Sequence, residues 1–168
     1  MKKKLSAQEN QSLKYIKNKI TRNKFLNKQD FTPGKMLFYS YNPKDQVNPY
    51  DKTPLILVIK ANSKHILGLN LHWAPVEYRK KIIKILIKYN KENLKHKRDL
   101  EIPQSGAKEL WRLARPIWRK YIKKRISRRG AVIEPEEMGN IIYLRSEHFI
   151  GISADDAFKL AIRKMRKN

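Results

Sequence analysis

Arg112, Arg115, Arg119, Lys120, Lys123, Lys124, Arg125, Arg128 and Arg129 crowd one short stretch of this chain, and Arg79, Lys80, Lys84 and Lys88 form a second basic run upstream. The chemistry open to such blocks is neutralisation of a polyanion. Across 168 residues, 39 Lys and Arg stand against 15 Asp and Glu, a formal charge of +24. The excess is uneven: +14 lies between Glu77 and Gly130, against +7 over residues 1–30 and −3 over 131–139. A charge of this size repels itself in a compact fold, and a polyanion that sheds its counterions on binding relieves the repulsion. Nucleic acid is therefore the expected partner, with DNA and RNA both open. Runs such as Lys2-Lys3-Lys4 also fit a lysine-rich, solvated surface.

Other chemistries find less support. His65, His72, His96 and His148 fall in different predicted elements, and no close pairing with Asp or Glu offers a metal site. Asp45, Asp51 and Glu77 could serve a magnesium-dependent nuclease only if the fold brought them together. Gly34 and Gly68 are isolated, so no glycine-rich phosphate loop is present. There is no cysteine and no serine in a nucleophile elbow, so the reading is a binding protein rather than an enzyme, with no cofactor and no metal. Tyr39, Tyr41, Tyr50, Trp73, Trp111 and Trp118 could stack on bases, although most sit at strand or helix spacing and read as core.

The elements that must hold these residues emerge from periodicity. Ser6 and Glu9 have capping-box spacing, and Leu13, Ile16 and Ile20 continue it, predicting a helix from about Ala7 to Lys28 within a basic N-terminal arm, 1–30. After the Thr32-Pro33-Gly34 turn, three strands are predicted: Lys35 to Tyr41, Pro54 to Ile59 and His65 to Leu71, the last carrying Gly68 at a bulge or bend. Pro75 opens a helix with Ile82, Ile83, Leu86 and Tyr89 on one face, and a polar connector runs from Lys91 to Glu101. The spacing of Leu110, Trp111, Ala114, Ile117, Trp118, Tyr121 and Ile122 predicts helix from Ser105 onward, kinked or broken at Pro116. Glu134 to Glu137 reads as a loop, Asn140 to Arg145 as a strand, and Ser153 with Asp156 as the start of a last helix. The expected fold is α+β: a small SH3-like β-barrel or twisted antiparallel sheet with basic helical extensions. Residues 31–168 make one domain, with its basic helical region at about 75–130.

No apolar run approaches the roughly 18 residues that span a bilayer, and the lysine-rich start lacks a signal-peptide core. The absence of cysteine suits a reducing compartment. No membrane partner is expected.

Three segments carry a resemblance: Pro33-Gly34-Lys35-Met36-Leu37-Phe38-Tyr39-Ser40-Tyr41-Asn42-Pro43-Lys44, Pro49-Tyr50-Asp51-Lys52-Thr53-Pro54-Leu55-Ile56-Leu57, and Leu67-Gly68-Leu69-Asn70-Leu71-His72-Trp73 with Pro75 and Arg79. Together with Tyr121 to Arg125 and Glu147 to Gly151, they resemble small basic proteins of tailed bacteriophages of the T-even type, described as DNA end protectors. The resemblance covers about Phe31 to Gly151. It departs at Asn48, before Pro49-Tyr50, and at Trp73, where the family has tyrosine, and it supplies no catalytic group. It implies binding at the termini of the packaged genome, in the virion and in the host cytoplasm during assembly. Alongside DNA, the partners would be virion proteins such as portal, neck or tail subunits. On that reading the basic residues named above meet phosphates without reading sequence, and Tyr50 in the loop from Asn42 to Asp51 stacks on a terminal base pair. Two alternatives remain: a structural component of the neck, tail or baseplate whose basic face meets an acidic subunit, and an RNA- or ribosome-associated protein.

Overall fold

The computed structural model describes residues 5–22, 25–44, 49–103 and 107–167. The first helix, α1 (Ala7–Arg22), starts as its sequence requires: the Ser6 amide donates to Glu9 Oε2 at 2.7 Å and the Glu9 amide to Ser6 Oγ at 3.2 Å. It stops well short of Lys28, because Asn27 and Asp30 cap each other's backbone and wind Lys28–Asp30 into a separate 3-10 turn. Ile16 is buried in the core, and Lys19 reaches Glu137 at 2.5 Å.

Five strands then form the main sheet: β1 (Met36–Tyr41), β3 (Leu55–Ala61), β4 (His65–Asn70), β5 (Trp118–Ile122) and β6 (Ile126–Ile133), all antiparallel in the order β5-β4-β3-β1-β6. A ribbon of β2 (Tyr50–Asp51) and β7 (Phe149–Ile150) stands apart from it. Both faces of β1 and β3 are buried. Met36, Phe38, Leu55 and Leu57 enter a large core with the helices, while Leu37, Tyr39, Tyr41, Ile56 and Val58 join Ile66, Tyr121, Ile126 and Leu26 in a second core on the opposite face. Gly68 faces Val58, beside a register shift between Val58 and Lys60. A Cβ there would stand 2.9 Å from the Leu57 carbonyl oxygen, so this close approach excludes a side chain.

The helices are α2 (Val76–Tyr89), α3 (Lys91–Lys95), α4 (Lys108–Ala114) and α5 (Ala154–Lys167). In α2, Ile82, Ile83 and Leu86 are buried as expected, but Tyr89 is about half exposed. The Lys91 to Glu101 connector contains α3. At α5 the Asp156 amide donates to Ser153 Oγ at 3.1 Å, the start signalled by the sequence.

Three expectations need correction. The basic region is helical only in its first part: α2, α3 and α4 lie within it, but α4 ends at Ala114, Arg115–Ile117 is a 3-10 turn around Pro116, and β5 and β6 come after it. Strand pairing with β4 and β1 overrides the apparent helical spacing. Asn140 to Arg145 is not a strand. Pro135–Ile141 is a 3-10 helix, and Met138, Ile141 and Leu144 are buried three apart, the period of that helix. The α+β class and the antiparallel sheet hold, but of the two expected forms the closed barrel does not: the sheet stays open. Its edge strands β5 and β6 meet only at one end, through the 3-10 turn Lys123–Arg125. Among the described residues no helix is long and apolar enough to cross a membrane.

Candidate nucleic-acid interface

The turn that joins the sheet edges is Lys123-Lys124-Arg125, and three adjoining clefts open around it. The first, about 390 Å³, holds Tyr50 and Arg119 among Lys44, His65, Trp73, Lys120 and Tyr41. Arg119 is set by its surroundings. Its guanidinium lies 4.0 Å from the Trp73 ring centroid, and its Nη1 donates to the carbonyls of Pro116 and Trp118 at 3.1 and 2.6 Å. Burial lowers its pKa, but stacking keeps the cation ordered. The second cleft, about 640 Å³, shares Tyr41 with the first and adds Lys124, Arg125, Lys52 and His148. The third, about 870 Å³, shares Lys124 and carries Lys123, Arg128 and Lys28 with Phe25 and Phe31.

Arg128 and Arg129 are exposed by a bulge. Tyr39 pairs with Gly130 and Tyr41 with Ile126, so β6 spends more residues than β1 over this interval and pushes Ser127, Arg128 and Arg129 outward. Gly130 also lets Leu26 approach: a Cβ there would lie 2.8 Å from Leu26 Cδ1 and 2.5 Å from the Phe38 carbonyl oxygen.

A buried polar network fixes Tyr50. Asp51, 2% exposed, accepts from the Thr53 amide at 3.0 Å and the His148 amide at 2.9 Å, and its other oxygen lies 2.8 Å from His72 Nδ1. Asn70 Nδ2 donates to the Tyr121 hydroxyl at 3.0 Å and reaches Asp51 Oδ2 at 3.4 Å. Burial alone would raise the Asp51 pKa. Its bond to His72, the imidazole's charge and the two amides outweigh burial and hold it below the usual carboxylate range. The fold thus pairs a histidine with a carboxylate that the sequence holds 21 positions apart. Asp51 is absorbed in clamping the β2–β7 ribbon to the sheet, which removes it from the possible nuclease carboxylates.

Arg79 cannot meet a phosphate. It is fully buried, with Nε donating to the Leu71 carbonyl at 3.1 Å, Nη1 to Ile142 at 3.3 Å and to Leu144, and Nη2 to Ala74 at 3.4 Å. Burial pulls its pKa down to about 10, still charged at neutral pH. Its period on α2 gave no warning, since two of the carbonyls that receive it, those of Ile142 and Leu144, come from a distant segment. Lys84 and Lys88 are exposed and Lys80 partly so, as are Arg112 and Arg115 near α4, but none of them lines these three clefts. The clefts instead recruit Lys28, Lys44, Lys52 and His65, which lie outside the charge-dense stretch. Lys44 and Lys52 flank the Tyr50 motif, a signal available in the sequence. Positions 45–48 of that loop lie outside the described residues.

Fold and clefts together define a class, a small basic α+β protein with a concave rim of cations and aromatics. The chain belongs to the family of the phage T4 terminal DNA protecting protein, whose profile matches residues 1–160. The match reaches beyond the Phe31 to Gly151 span of the motifs and takes in α1. No curated protein and no solved structure matches the chain.

Proposed function

We propose that this phage protein binds the ends of linear DNA, holding the duplex through phosphate contacts without sequence readout and covering the terminus at the Tyr50 cleft. The observation that carries the reading is the convergence of Lys44, Arg119, Lys120 and Tyr50 in one cleft, continuous through Tyr41 and Lys124 with two further cationic clefts. Family membership supplies DNA end protection as the general role. The exposed cations Lys80, Lys84, Lys88, Arg112, Arg115 and Arg129 extend the field that attracts the duplex. The strand order, with a 3-10 turn between the two edge strands, supports an open relative of the SH3-like barrel for 31–168, with 1–30 as its basic N-terminal segment. Packaging with the genome, beside portal, neck or tail subunits, belongs to the same proposal.

The test compares linear duplex with closed circles of equal length. The protein should prefer the linear form, slow an exonuclease that enters at a terminus and leave the DNA uncut. Tyr50→Ala should remove the end preference while bulk affinity stays within a few-fold, since one aromatic stack is worth about 1–3 kcal/mol beside many phosphates. Equal binding to both forms without exonuclease protection would overturn the reading and favour a structural role against an acidic virion subunit.

A further inference from the structure

Phe25 is 70% exposed, the most exposed large apolar side chain among the described residues, and it stands on a cationic cleft rather than an apolar one. Its orientation is built in. The next residue, Leu26, donates its amide to the Arg128 carbonyl at 2.7 Å and buries its side chain in the second core over Gly130, leaving Phe25 to point outward. Phe31 lines the same cleft with the Lys123 ammonium 5.7 Å from its ring centroid. Lys28, Lys124 and Arg128 line it too, with the uncharged Asn27, Ser63 and Ile126. The nearby acid, Asp30, is engaged in capping the Asn27 amide at 2.7 Å.

Rings interleaved with cations along a groove are what an unpaired strand needs, because each base offers a face for stacking and each linkage a phosphate. A paired duplex shows its backbone and its base edges along its length but has no free base face for Phe25. We infer that this cleft binds unpaired nucleotides, the single-stranded tail of a DNA terminus. This deepens the end-binding reading, which it rests on for its biological setting: the Tyr50 cleft meets the paired end and the Phe25 cleft takes the overhang.

The experiment measures fluorescence anisotropy of a labelled oligothymidine of eight nucleotides, with a blunt linear duplex and inorganic polyphosphate in parallel, for the full chain and for Phe25→Ala, Phe25→Trp and Tyr50→Ala. Phe25→Ala should weaken oligothymidine binding at least fivefold, change blunt duplex and polyphosphate less than twofold, and keep the wild-type circular dichroism spectrum. Phe25→Trp should restore the oligothymidine affinity. Unchanged oligothymidine binding in Phe25→Ala, equal losses on all three probes, or no oligothymidine binding by the wild type would each overturn the inference. The last two patterns would point to charge alone or to a protein docking on Phe25. A wild type that ignores duplex ends yet loses oligothymidine through Phe25→Ala refutes the end-binding reading and supports the cleft.

Discussion

Replacing Arg79 by methionine should destabilise the protein and leave its DNA affinity alone, the opposite of what its place in a basic run suggests. The substitution strands the carbonyl oxygens of Ala74, Ile142 and Leu144, while that of Leu71 keeps the Ala74 amide at 3.1 Å. The carbonyls of Ala74 and Leu144 cannot turn to water, since both are buried core residues, and Ile142 is partly buried. A buried acceptor left without a donor costs about 1–3 kcal/mol. Taking the low end for each of these three carbonyls, and returning about 1 kcal/mol because a guanidinium no longer has to be kept from water, gives a net loss of about 2 kcal/mol. For a domain of this size that lowers the melting temperature by roughly 4–8 °C. Thermal unfolding followed by circular dichroism measures the shift, and DNA titration well below the transition measures affinity, expected within twofold of wild type. A variant that melts with the wild type, or that stays folded and loses DNA, refutes the assignment of Arg79 to the scaffold.

Leu57, Val58 and Leu69 are fully buried, so each should lose roughly 2–5 kcal/mol on truncation to alanine; Lys124→Ala and Arg128→Ala should stay within about 0.5 kcal/mol of wild type in the same urea titrations while weakening DNA binding. Affinity for duplex DNA should fall with salt at a slope of about −0.9 per phosphate engaged, with titrations on two unrelated sequences giving the same line and each cleft cation removed making it shallower. Because Asp51 holds its proton more weakly folded than unfolded, its contribution is complete at neutral pH and disappears as pH falls through about 4 towards its lower folded value. Asp51→Asn should therefore be less stable at pH 7 and show a flatter acid limb when urea midpoints are compared from pH 3 to 7.

The central strands could be read from the chain because their cause is local. Met36 to Tyr41 and Leu55 to Val58 alternate between two cores, and both faces are apolar; the caps at Ser6 and Ser153 need partners only three residues away. Trp118 to Ile133 could not be read this way. Its lysines and arginines are good helix formers, and its apolar residues mimic a helical period, but Pro116 ends α4, and pairing with β4 and β1 draws Trp118 to Ile133 into the sheet. The charge pattern led to Arg119, Lys120, Lys123, Lys124, Arg125 and Arg128, which line the clefts, yet Arg79 is buried and Lys28, Lys44 and Lys52, which also line them, went unremarked, because which face a residue occupies depends on segments far away in sequence. His72 and Asp51 illustrate the same limit: neither pointed to the other in the sequence, and only the fold of the β2–β7 ribbon makes them a pair.

The pairing of β1 with β6 also has a history along the ribosome. Tyr41 waits for Ile126, about 85 residues downstream, and at about 5–20 residues per second of synthesis the aromatic β1 stands with one open edge for roughly 4–17 s. During that interval a second nascent copy could pair along the same edge. Recombinant production should therefore gain soluble yield when translation is faster or copies are kept dilute, and an excised fragment ending before β6 should aggregate rather than fold.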